Sequence, residues 1–385
     1  MNTIQNIRKF HEDLTAFRQD LHAHPELGLE EYRTAGLVAQ KLRSFGIEVH
    51  EGVGKTGVVG VLCAGSGHRK IGLRADMDAL PMQEENDLPY KSTIAHKMHA
   101  CGHDGHTTML LGAAQYLAQT RKFNGTVHFI FQPGEEGAGG AQAMLQDDLF
   151  TRFPCDAIFG MHNSPELEIG EFRINHGPIM AGGAFFDIAI TGLGAHASRP
   201  ETGIDPIVVG AQIVLALQTI LSRNITAFES ASLSVTRVES SSSAYNVIPH
   251  HVVLGGTVRC FSNEIMEFIK KRVTEISQGI ASSHGAEAKV DFKVIFVPTV
   301  NNKEKSVFFA ETAKILLGEK NVKINAKKLM GSEDFGFMLE HIEGAYGMIG
   351  NGKGFSPHHP NYNFNDEAIP YGAALYAKLV ENFLT

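Results

Sequence analysis

Between residues 30 and 180 the sequence alternates between helical and strand periodicity, and this alternation is the feature that most restricts the fold. Two glycine-bounded segments, GVVGVLCAG (57–65) and KIGLRADMDALP (70–81), are typical of strands. HTTMLLGAAQYLAQT (106–120) is apolar on all sides, which predicts a buried helix, and GTVHFIFQP (125–133) returns to a β-branched and aromatic strand pattern. Such alternation predicts an α/β domain with helices packed on a largely parallel sheet.

The pattern changes in the middle of the chain, where the predicted elements follow in the order β-α-β-β-α-β. The four strand patterns are GAFFDIAIT, ASLSVTRVE, HVVLGGTVRCF and AKVDFKVIFVP. This order is typical of a ferredoxin-like domain, in which one four-stranded sheet carries two helices. The α/β pattern resumes after Pro298. We therefore predict a catalytic domain of residues 1–180 plus 297–385, interrupted by an inserted domain of residues 181–296.

Charge and cysteine content argue against several classes of partner. The formal net charge is −8 with no basic run, which makes nucleic acid an unexpected partner. No uninterrupted apolar run reaches membrane-spanning length, and the N-terminus has helical spacing rather than the apolar core of a signal peptide. The four cysteines form no Cys-x-x-Cys pair, so we expect a cytoplasmic protein in which Cys63, Cys155 and Cys260 pack as small hydrophobic residues.

Two glycine-rich segments resemble nucleotide-binding loops but lack the required context. GVGKTG (52–57) would need a glycine where Val49 stands to be a phosphate-binding loop. GLGAHA (192–197) follows a strand, but Pro200 and a polar turn come next, so no helix opens as a dinucleotide site requires. Neither segment predicts nucleotide binding, and His196 in the second one needs another explanation.

Side chains that bind metals stand mostly at or just after the ends of predicted strands. The carboxyl ends of strands are where α/β sheets build their sites. Thiolate, imidazole and carboxylate ligands together suit zinc, and also cobalt or manganese. The candidates are Cys101 and His103 before the buried helix, Glu135 and Glu136 after one strand, His162 at the end of another, and His358 and His359 near the C-terminus.

The consecutive pair Glu135 and Glu136 indicates the chemistry. Two consecutive side chains leaving a strand point in different directions, so one can bind a metal while the other faces metal-bound water. Such water is acidic near neutral pH, and a positioned carboxylate can take its proton. This predicts a metal-dependent hydrolase. Two alternatives remain open: Cys101 as a thiol nucleophile with His103 or His106 as base, and a non-catalytic carboxylate-binding or assembly protein.

Motifs along nearly the whole chain resemble one family of metallo-amidohydrolases. The family includes hippurate hydrolases, N-acyl-amino-acid aminoacylases, N-acetyldiaminopimelate deacetylases and plant auxin-conjugate hydrolases. The resemblance implies a zinc-exopeptidase-like α/β/α catalytic domain with an inserted lid and dimerisation domain. The motifs are HPELGLEE, GLRADMDALP, KMHACGHDGHT, QPGEEGAGGA, GMHN, GAHASRP, NVIP, GGTVRCF, MGSEDF and HHPNYNFND.

The same resemblance implies an activity, a cofactor and a partner. The activity is hydrolysis of the amide bond of an N-acyl amino acid, with dipeptidase or carboxypeptidase-type cleavage of small peptides as the alternative. The cofactor is two divalent metal ions per subunit, as zinc, manganese, cobalt or nickel. The partner is one or more further copies of the chain, in a homodimer or a higher homo-oligomer formed through the inserted domain.

Carried over position by position, the resemblance also implies a role for each site residue. Glu135 is the general base and then the acid that protonates the leaving amine. His196 helps to hold the oxyanion, in related enzymes from a partner subunit. Asn246 and Arg259 grip the substrate carboxylate, and Asp76 orients a metal ligand. The implied metal ligands are Cys101, which lies between the two ions, His103, Glu136, His162 and His358, but not His359.

Overall fold

The computed structural model describes residues 3–385 and divides into two compact units. Unit 1 consists of Met1–Ile179, Val300–Lys327 and Asp334–Thr385, and unit 2 of Met180–Thr299 and Lys328–Glu333. The sequence-derived inserted domain, 181–296, did not contain the second segment of unit 2. That segment belongs to unit 2 because the Ala181 amide donates to the carbonyls of Leu329 and Gly331, each at 3.0 Å.

Unit 1 is built on an eight-stranded sheet. Its strands, numbered in chain order through the whole protein, are β1 (Glu48–Val53), β2 (Gly57–Ala64), β3 (Lys70–Asp76), β4 (Gly125–Gln132), β5 (Ala157–Ser164), β6 (Phe172–Ile174), β15 (Val322–Ile324) and β16 (Gly344–Gly350). Their order across the sheet is β1-β2-β4-β3-β5-β16-β6-β15. The central strands β4, β3, β5 and β16 run parallel, whereas the β1–β2, β2–β4 and β16–β6 pairs are antiparallel. The sheet is therefore parallel in its centre and mixed towards its edges.

The helices of unit 1 pack into a core that contains the predicted buried helix. They are α1 (Thr3–Ile7), α2 (His11–Ala23), α3 (Tyr32–Ser44), α4 (His103–Thr120), α5 (Gly140–Gln146), α6 (Leu149–Arg152), α9 (Lys303–Leu317), α10 (Phe335–Leu339) and α11 (Ile369–Phe383). Leu110 and Leu117 of α4 and Ala377 of α11 are fully buried in one apolar cluster. The helix predicted from residue 106 begins at His103, so this candidate ligand stands in its first turn.

Two features of unit 1 differ from the sequence analysis. Strand β16, GAYGMIG, lacks a strand-like residue pattern, yet it is fully buried, and a side chain at Gly347 would come within 2.2 Å of the Phe172 ring. The prediction that Cys63 is buried is wrong. Near the end of β2 its side chain alternates to the exposed face of the strand, 3.4 Å from the Thr126 hydroxyl.

Unit 2 has the predicted ferredoxin-like arrangement. Its strands β8 (Gly182–Thr191), β10 (Ala231–Ser240), β12 (His251–Cys260) and β13 (Glu287–Phe296) form an antiparallel sheet in the order β10-β12-β8-β13. Helix α7 (Pro206–Thr219) connects its first two strands and α8 (Asn263–Ser283) its last two. Two short strands, β9 (Ala195–His196) and β11 (Val247–Ile248), form a further pair within unit 2. The short strands β7 (Gly177–Met180) and β14 (Thr299–Asn301), most of whose residues belong to unit 1, pair with each other.

Helix α7 and the π-helical turn after it, Pro206–Asn224, form the one described helix that is long and apolar enough to cross a membrane. The sequence contains no uninterrupted apolar run of that length, since Gln212, Gln218 and Arg223 interrupt this one. Val209, Ile213 and Leu217 pack into the core of unit 2. A core helix passes the same test of length and composition, so the helix is weak evidence for a membrane span.

Candidate metal centre

The candidate ligands of unit 1 gather at one edge of the large sheet. The four central strands run parallel, so their carboxyl ends meet there. Gly102 makes the turn between two of the candidates, with a φ of 93°. Glu135 and Glu136 follow β4, His162 lies near the end of β5, His358 lies in the loop after β16, and Cys101 and His103 lie at the start of α4.

The donor atoms form overlapping groups in which all atoms lie within 4.8 Å of one another. Three groups comprise Cys101, His103 and His162; Cys101, Glu136 and His358; and His103, Glu135 and Glu136. The Sγ atom of Cys101 is 3.3 Å from Nε2 of His162. Nε2 of His358 is 3.2 Å from Oε1 of Glu136. The first two groups share only Cys101, so its sulfur lies between two sets of donors.

One ring nitrogen of His103 makes a hydrogen bond, and the other does not. Its Nδ1 lies 3.1 Å from Oδ1 of Asp78. Its buried Nε2 has no hydrogen-bond partner within residues 3–385. That atom lies 3.8 Å from a carboxylate oxygen of Asp76 and 4.0 Å from one each of Glu135 and Glu136. A buried polar atom without a partner is costly, and a metal ion held by these donors would satisfy it. The donor set therefore fits a divalent metal ion.

The carboxylate that orients His103 is Asp78 rather than Asp76. Asp78 also accepts from the backbone N–H of Glu136 at 2.9 Å, so it holds two candidate ligands together. The family resemblance implies that Asp76 orients a metal ligand, without specifying which one. Asp76 is the last residue of β3, and its side chain pairs with Nδ1 of His106 at 2.6 Å. The carboxylate beside Nδ1 of His103 belongs to Asp78, two residues after Asp76.

His106 uses both ring nitrogens and supports the site without joining the donor groups around Cys101. Its Nδ1 faces Asp76, and its Nε2 accepts from the backbone N–H of Asn163 at 2.9 Å. The Asn163 side chain in turn donates to the carbonyl of Cys101 at 2.6 Å and accepts from the Tyr362 hydroxyl at 2.7 Å. With both nitrogens engaged, His106 is poorly placed to be the base for a thiol nucleophile.

Burial keeps His162 neutral. Burial of the imidazole lowers the pKa of His162 to about 3. Its Nδ1 donates to the Asn163 carbonyl at 2.7 Å, which leaves the lone pair of Nε2 facing Cys101. A neutral imidazole held in this tautomer is the form that binds a metal.

Cys101 lies in surroundings that oppose a free thiolate. Burial and the negative charge of Glu136 raise the pKa of its thiol. A nucleophilic cysteine requires the opposite shift. Hydrogen bonds to Cys101 and Glu136 raise the pKa of His358 to about 10. Cys101 and Glu136 therefore favour a positive charge beside them. The surroundings of Cys101 therefore suit a bound cation better than a thiol nucleophile.

The two consecutive histidines near the C-terminus have different environments. His358 has a φ of 66°, and its backbone N–H donates to the Ala100 carbonyl at 2.8 Å, which brings it beside Cys101. The ring of His359 instead stacks on Phe355 with 4.2 Å between centroids. Its Nδ1 accepts from the Asn361 backbone N–H at 3.1 Å. His359 therefore stands apart from the donor groups.

The other predicted site residues belong to unit 2. His196 lies in the β9–β11 pair, and the Ala197 amide next to it donates to the carbonyl of Asn246 at 3.0 Å. Within unit 2 the structure thus brings His196 and Asn246 together. Arg259 lies on β12 opposite Gly183, in a different sheet. A Cβ atom at Gly183 would come within 3.1 Å of Nη1 of Arg259, so this glycine leaves space for the guanidinium group.

Comparison with known proteins identifies the family. A sequence model of peptidase family M20/M25/M40 matches residues 72–382. The chain belongs to this family. It is 44% identical over 384 residues to hippurate hydrolase from Campylobacter jejuni, with 100% of both chains covered. It is 39% identical to the IAA-amino acid hydrolase ILR1-like 4 of Arabidopsis thaliana, over 99% of this chain and 88% of that one.

A solved structure supports the same membership. It is a Bacillus subtilis protein described as a dinuclear metal binding peptidase from the M20 family. It matches with a TM-score of 0.86 and 34% identity, over 98% of this chain and 99% of its own. The resemblance seen in the motifs is thereby confirmed, and the chain is a hydrolase with an α/β catalytic domain and an inserted domain.

Proposed function

We propose that this M20-family protein hydrolyses the amide bond of N-acyl amino acids and releases a carboxylic acid and an amino acid. The observation that carries the proposal is the buried Nε2 of His103, which has no hydrogen-bond partner in residues 3–385 and faces three carboxylates. The two relatives named above carry out reactions of this class by their names. We propose two divalent metal ions per subunit, held by Cys101, His103, Glu136, His162 and His358.

The residues divide the work of hydrolysis. The bound metals would supply an acidic water and polarise the amide carbonyl. Glu135 is buried with a carboxylate oxygen 4.0 Å from Nε2 of His103, and it takes the proton of the water and passes it to the leaving nitrogen. His196 stabilises the oxyanion. Asn246 and the fork-shaped guanidinium of Arg259 bind the substrate carboxylate.

Replacement of Glu135 by glutamine tests this function. Glutamine keeps the shape of the side chain but cannot accept a proton, so kcat on hippurate and N-acetyl amino acids should fall by about 10²–10⁴-fold with metal content unchanged. Glu166→Gln, at an exposed glutamate with a side chain 69% accessible, is the matched control. Equal turnover by wild type and Glu135→Gln would contradict the mechanism. Turnover of dipeptides alone would support the peptidase alternative.

For the metal itself we propose zinc. A thiolate, three imidazoles and a carboxylate form a donor set that zinc favours, and manganese, cobalt and nickel are the alternatives. Metal analysis of protein purified without chelators, followed by activity measurements after reconstitution with each ion, distinguishes them. Highest activity and affinity with manganese would contradict the choice of zinc.

We also propose a homodimer formed through unit 2, as the family resemblance implies. Helix α7 supports this proposal because Ile207, Val208 and Leu215 on it are exposed, Leu215 by 73%. Apolar side chains clustered on a surface mark protein interfaces. The proposed partner is therefore a second copy of the chain.

We propose a cytoplasmic location. All four cysteines are free, and Cys63 is exposed. Exposed free thiols persist in reducing compartments. Fractionation of the source cells with an antibody against the protein tests the proposal, and recovery in a secreted or membrane fraction would contradict it.

A further inference from the structure

A buried charged cluster lies beside the candidate metal centre and takes no part in the mechanism above. At its centre is His22 of α2, which is fully buried. Its Nδ1 lies 2.8 Å from Oδ2 of Asp104, and its Nε2 lies 3.1 Å from Oε1 of Glu84. A neutral imidazole has only one N–H, so it can donate to only one of these carboxylates. With both carboxylates ionised, both contacts are hydrogen bonds only when His22 is an imidazolium.

The surrounding charges support this protonation state. Burial opposes the charge, but hydrogen bonds to Asp104 and Glu84 raise the pKa of His22 to about 9. Arg18, one helical turn earlier, places Nη1 3.4 Å from Asp104. Buried charges are tolerated when they are paired, and here two cations share one carboxylate. His22 is therefore a charged connector rather than a neutral core residue.

Through Asp104, His22 holds the turn that carries two candidate ligands. Asp104 directly follows His103 in the first turn of α4, and its other oxygen accepts from the Gly105 amide at 2.9 Å. Cys101 lies just before this turn. A shift of Asp104 would therefore move the sulfur and imidazole donors together.

Through Glu84, His22 is connected to the loop that carries the ligand candidate His358. The Asn86 side chain donates to Oε1 of Glu84 at 3.0 Å and to the carbonyl of Tyr362 at 2.9 Å. Next to it, the Glu85 amide donates to the carbonyl of Pro360 at 2.9 Å. The segment that contains Glu84 is thus hydrogen-bonded to the residues that follow His358.

Arg18 makes a parallel connection to the same loop. Its guanidinium donates to both carboxylate oxygens of Asp366, at 2.7 and 3.0 Å, and to Asn363 at 3.3 Å. Helix α2 therefore reaches the start of α4 and the loop after β16 with two buried cations. These are the two segments that carry Cys101, His103 and His358.

We propose that His22 is a positioning residue that sets the distance between the Cys101–His103 turn and His358, and thereby the affinity of the metal centre. The inference rests on the proposed function, because it takes these three residues as ligands. His22 touches none of them and acts through Asp104 and Glu84. Loss of its charge would leave the buried carboxylates of Asp104 and Glu84 without the donor that they share.

The substitution His22→Gln tests the proposal. Glutamine can donate to one carboxylate, but its carbonyl oxygen then faces the other. His24→Gln is the matched control, because His24 lies two residues away and bonds the backbone carbonyl of Asp20 at 2.8 Å. Zinc affinity is measured by competition with a chelating dye, and the geometry by the absorption spectrum of the cobalt(II)-loaded protein. Neither measurement uses substrate, so failure here is distinguishable from failure of the proposed hydrolysis.

We expect about tenfold weaker zinc binding and shifted cobalt(II) bands in His22→Gln, and wild-type values in His24→Gln. Wild-type affinity and spectrum in His22→Gln, or equal losses in both variants, would overturn the proposal. The double variant His22→Gln with Glu84→Gln should bind zinc more tightly than His22→Gln alone, because the new amide at residue 84 can donate to the glutamine at residue 22. If His22→Gln does not fold, zinc affinity is measured for Glu84→Gln instead. Weaker zinc binding by this variant supports the proposal, and unchanged zinc binding overturns it.

Discussion

Two neighbouring aspartates each hold one histidine of the site in a defined tautomer. Asp78 lies 3.1 Å from Nδ1 of His103, and Asp76 lies 2.6 Å from Nδ1 of His106. An Nδ1–H that donates to a carboxylate leaves Nε2 as the nitrogen with a lone pair. For His103 that nitrogen points to the donor groups, and for His106 it accepts from Asn163. The partner of Nε2, and not the residue type, separates a candidate ligand from a supporting residue.

The substitution Asp78→Asn should weaken metal binding. Asp78 uses one oxygen for His103 and the other for the backbone N–H of Glu136, and asparagine has only one acceptor oxygen. One of the two contacts must therefore be lost, and we expect about 10–100-fold lower metal affinity. Competition with a chelating dye measures it, with the exposed Asp87→Asn as the control. Unchanged affinity would show that Asp78 does not orient the ligands.

Glu31 should make the stability of the protein depend on pH. It is fully buried, and burial raises its pKa from 4.5 to about 7. The folded state holds the proton more tightly than the unfolded state, so the stabilisation from Glu31 is complete below about pH 4.5 and lost as the pH rises through about 7. We expect the free energy of unfolding to fall by about 3 kcal/mol more in wild type than in Glu31→Gln over this range.

Glutamine suits this comparison because it resembles the protonated glutamate. It can still accept from the Gly134 amide, which Glu31 bonds at 2.8 Å, and donate to the Thr56 hydroxyl. Urea unfolding at several pH values from about 4 to 8 gives the two profiles. Parallel profiles would mean that Glu31 titrates normally in the folded state.

At the scale of elements, the start of α4 depends on a glycine. Gly102 has a φ of 93°, and a Cβ atom there would come within 2.5 Å of both the side-chain Nδ2 of Asn163 and the hydroxyl oxygen of Tyr362. We therefore expect Gly102→Ala to lower the free energy of unfolding by about 2 kcal/mol or more. It should also displace the candidate ligands Cys101 and His103 on either side of it. Chemical denaturation and metal content of the purified variant measure the two effects.

A second glycine provides the opposite control. Gly279 lies on the exposed side of α8, and nothing lies within 4 Å of the position that its Cβ would take. Gly279→Ala should stabilise the protein by up to about 1 kcal/mol, because alanine restricts the unfolded chain and favours the helix. If both glycine variants were destabilised equally, the close contacts of Gly102 would not explain its effect.

At the scale of the whole molecule, the proposed dimer predicts a mass about twice the 41.9 kDa of one chain in sedimentation experiments. Leu215→Glu should shift the protein towards monomer, because an unpaired charge would be buried in the interface. The fold of the variant is checked by its thermal unfolding, since Leu215 is exposed within its own chain. A monomeric wild type would contradict the proposal.

The trans role proposed for His196 can be tested by mixing two inactive variants. Glu135→Gln and His196→Gln are unfolded together, refolded as a mixture and assayed. If His196 serves the site of the partner subunit, mixed dimers have one intact site, and about a quarter of wild-type activity returns. If it serves its own site, no activity returns. The separately refolded variants are the controls.

Much of the fold followed from local patterns. Most of the helices and the longer strands of both units could be predicted because their apolar periodicity is strong. Strand β16 could not, because its glycines carry no strand signal and are selected by contacts such as that of Gly347 with Phe172. The place of segment Lys328–Glu333 in unit 2 likewise depends on a long-range contact, because its backbone partner, Ala181, is far away in the chain.

By itself, the sequence determined the α/β class, the family and the set of candidate ligands, because these depend on periodicity, motif order and residue chemistry. Only the tertiary structure decided which carboxylate orients His103, why His359 stands apart from the donors and how His22 reaches both ligand-bearing segments. The physical reason is distance along the chain: His22 lies 82 residues from Asp104 and 62 from Glu84. Hydrogen bonds between residues so far apart in the chain produce no periodic pattern from which the sequence could predict them.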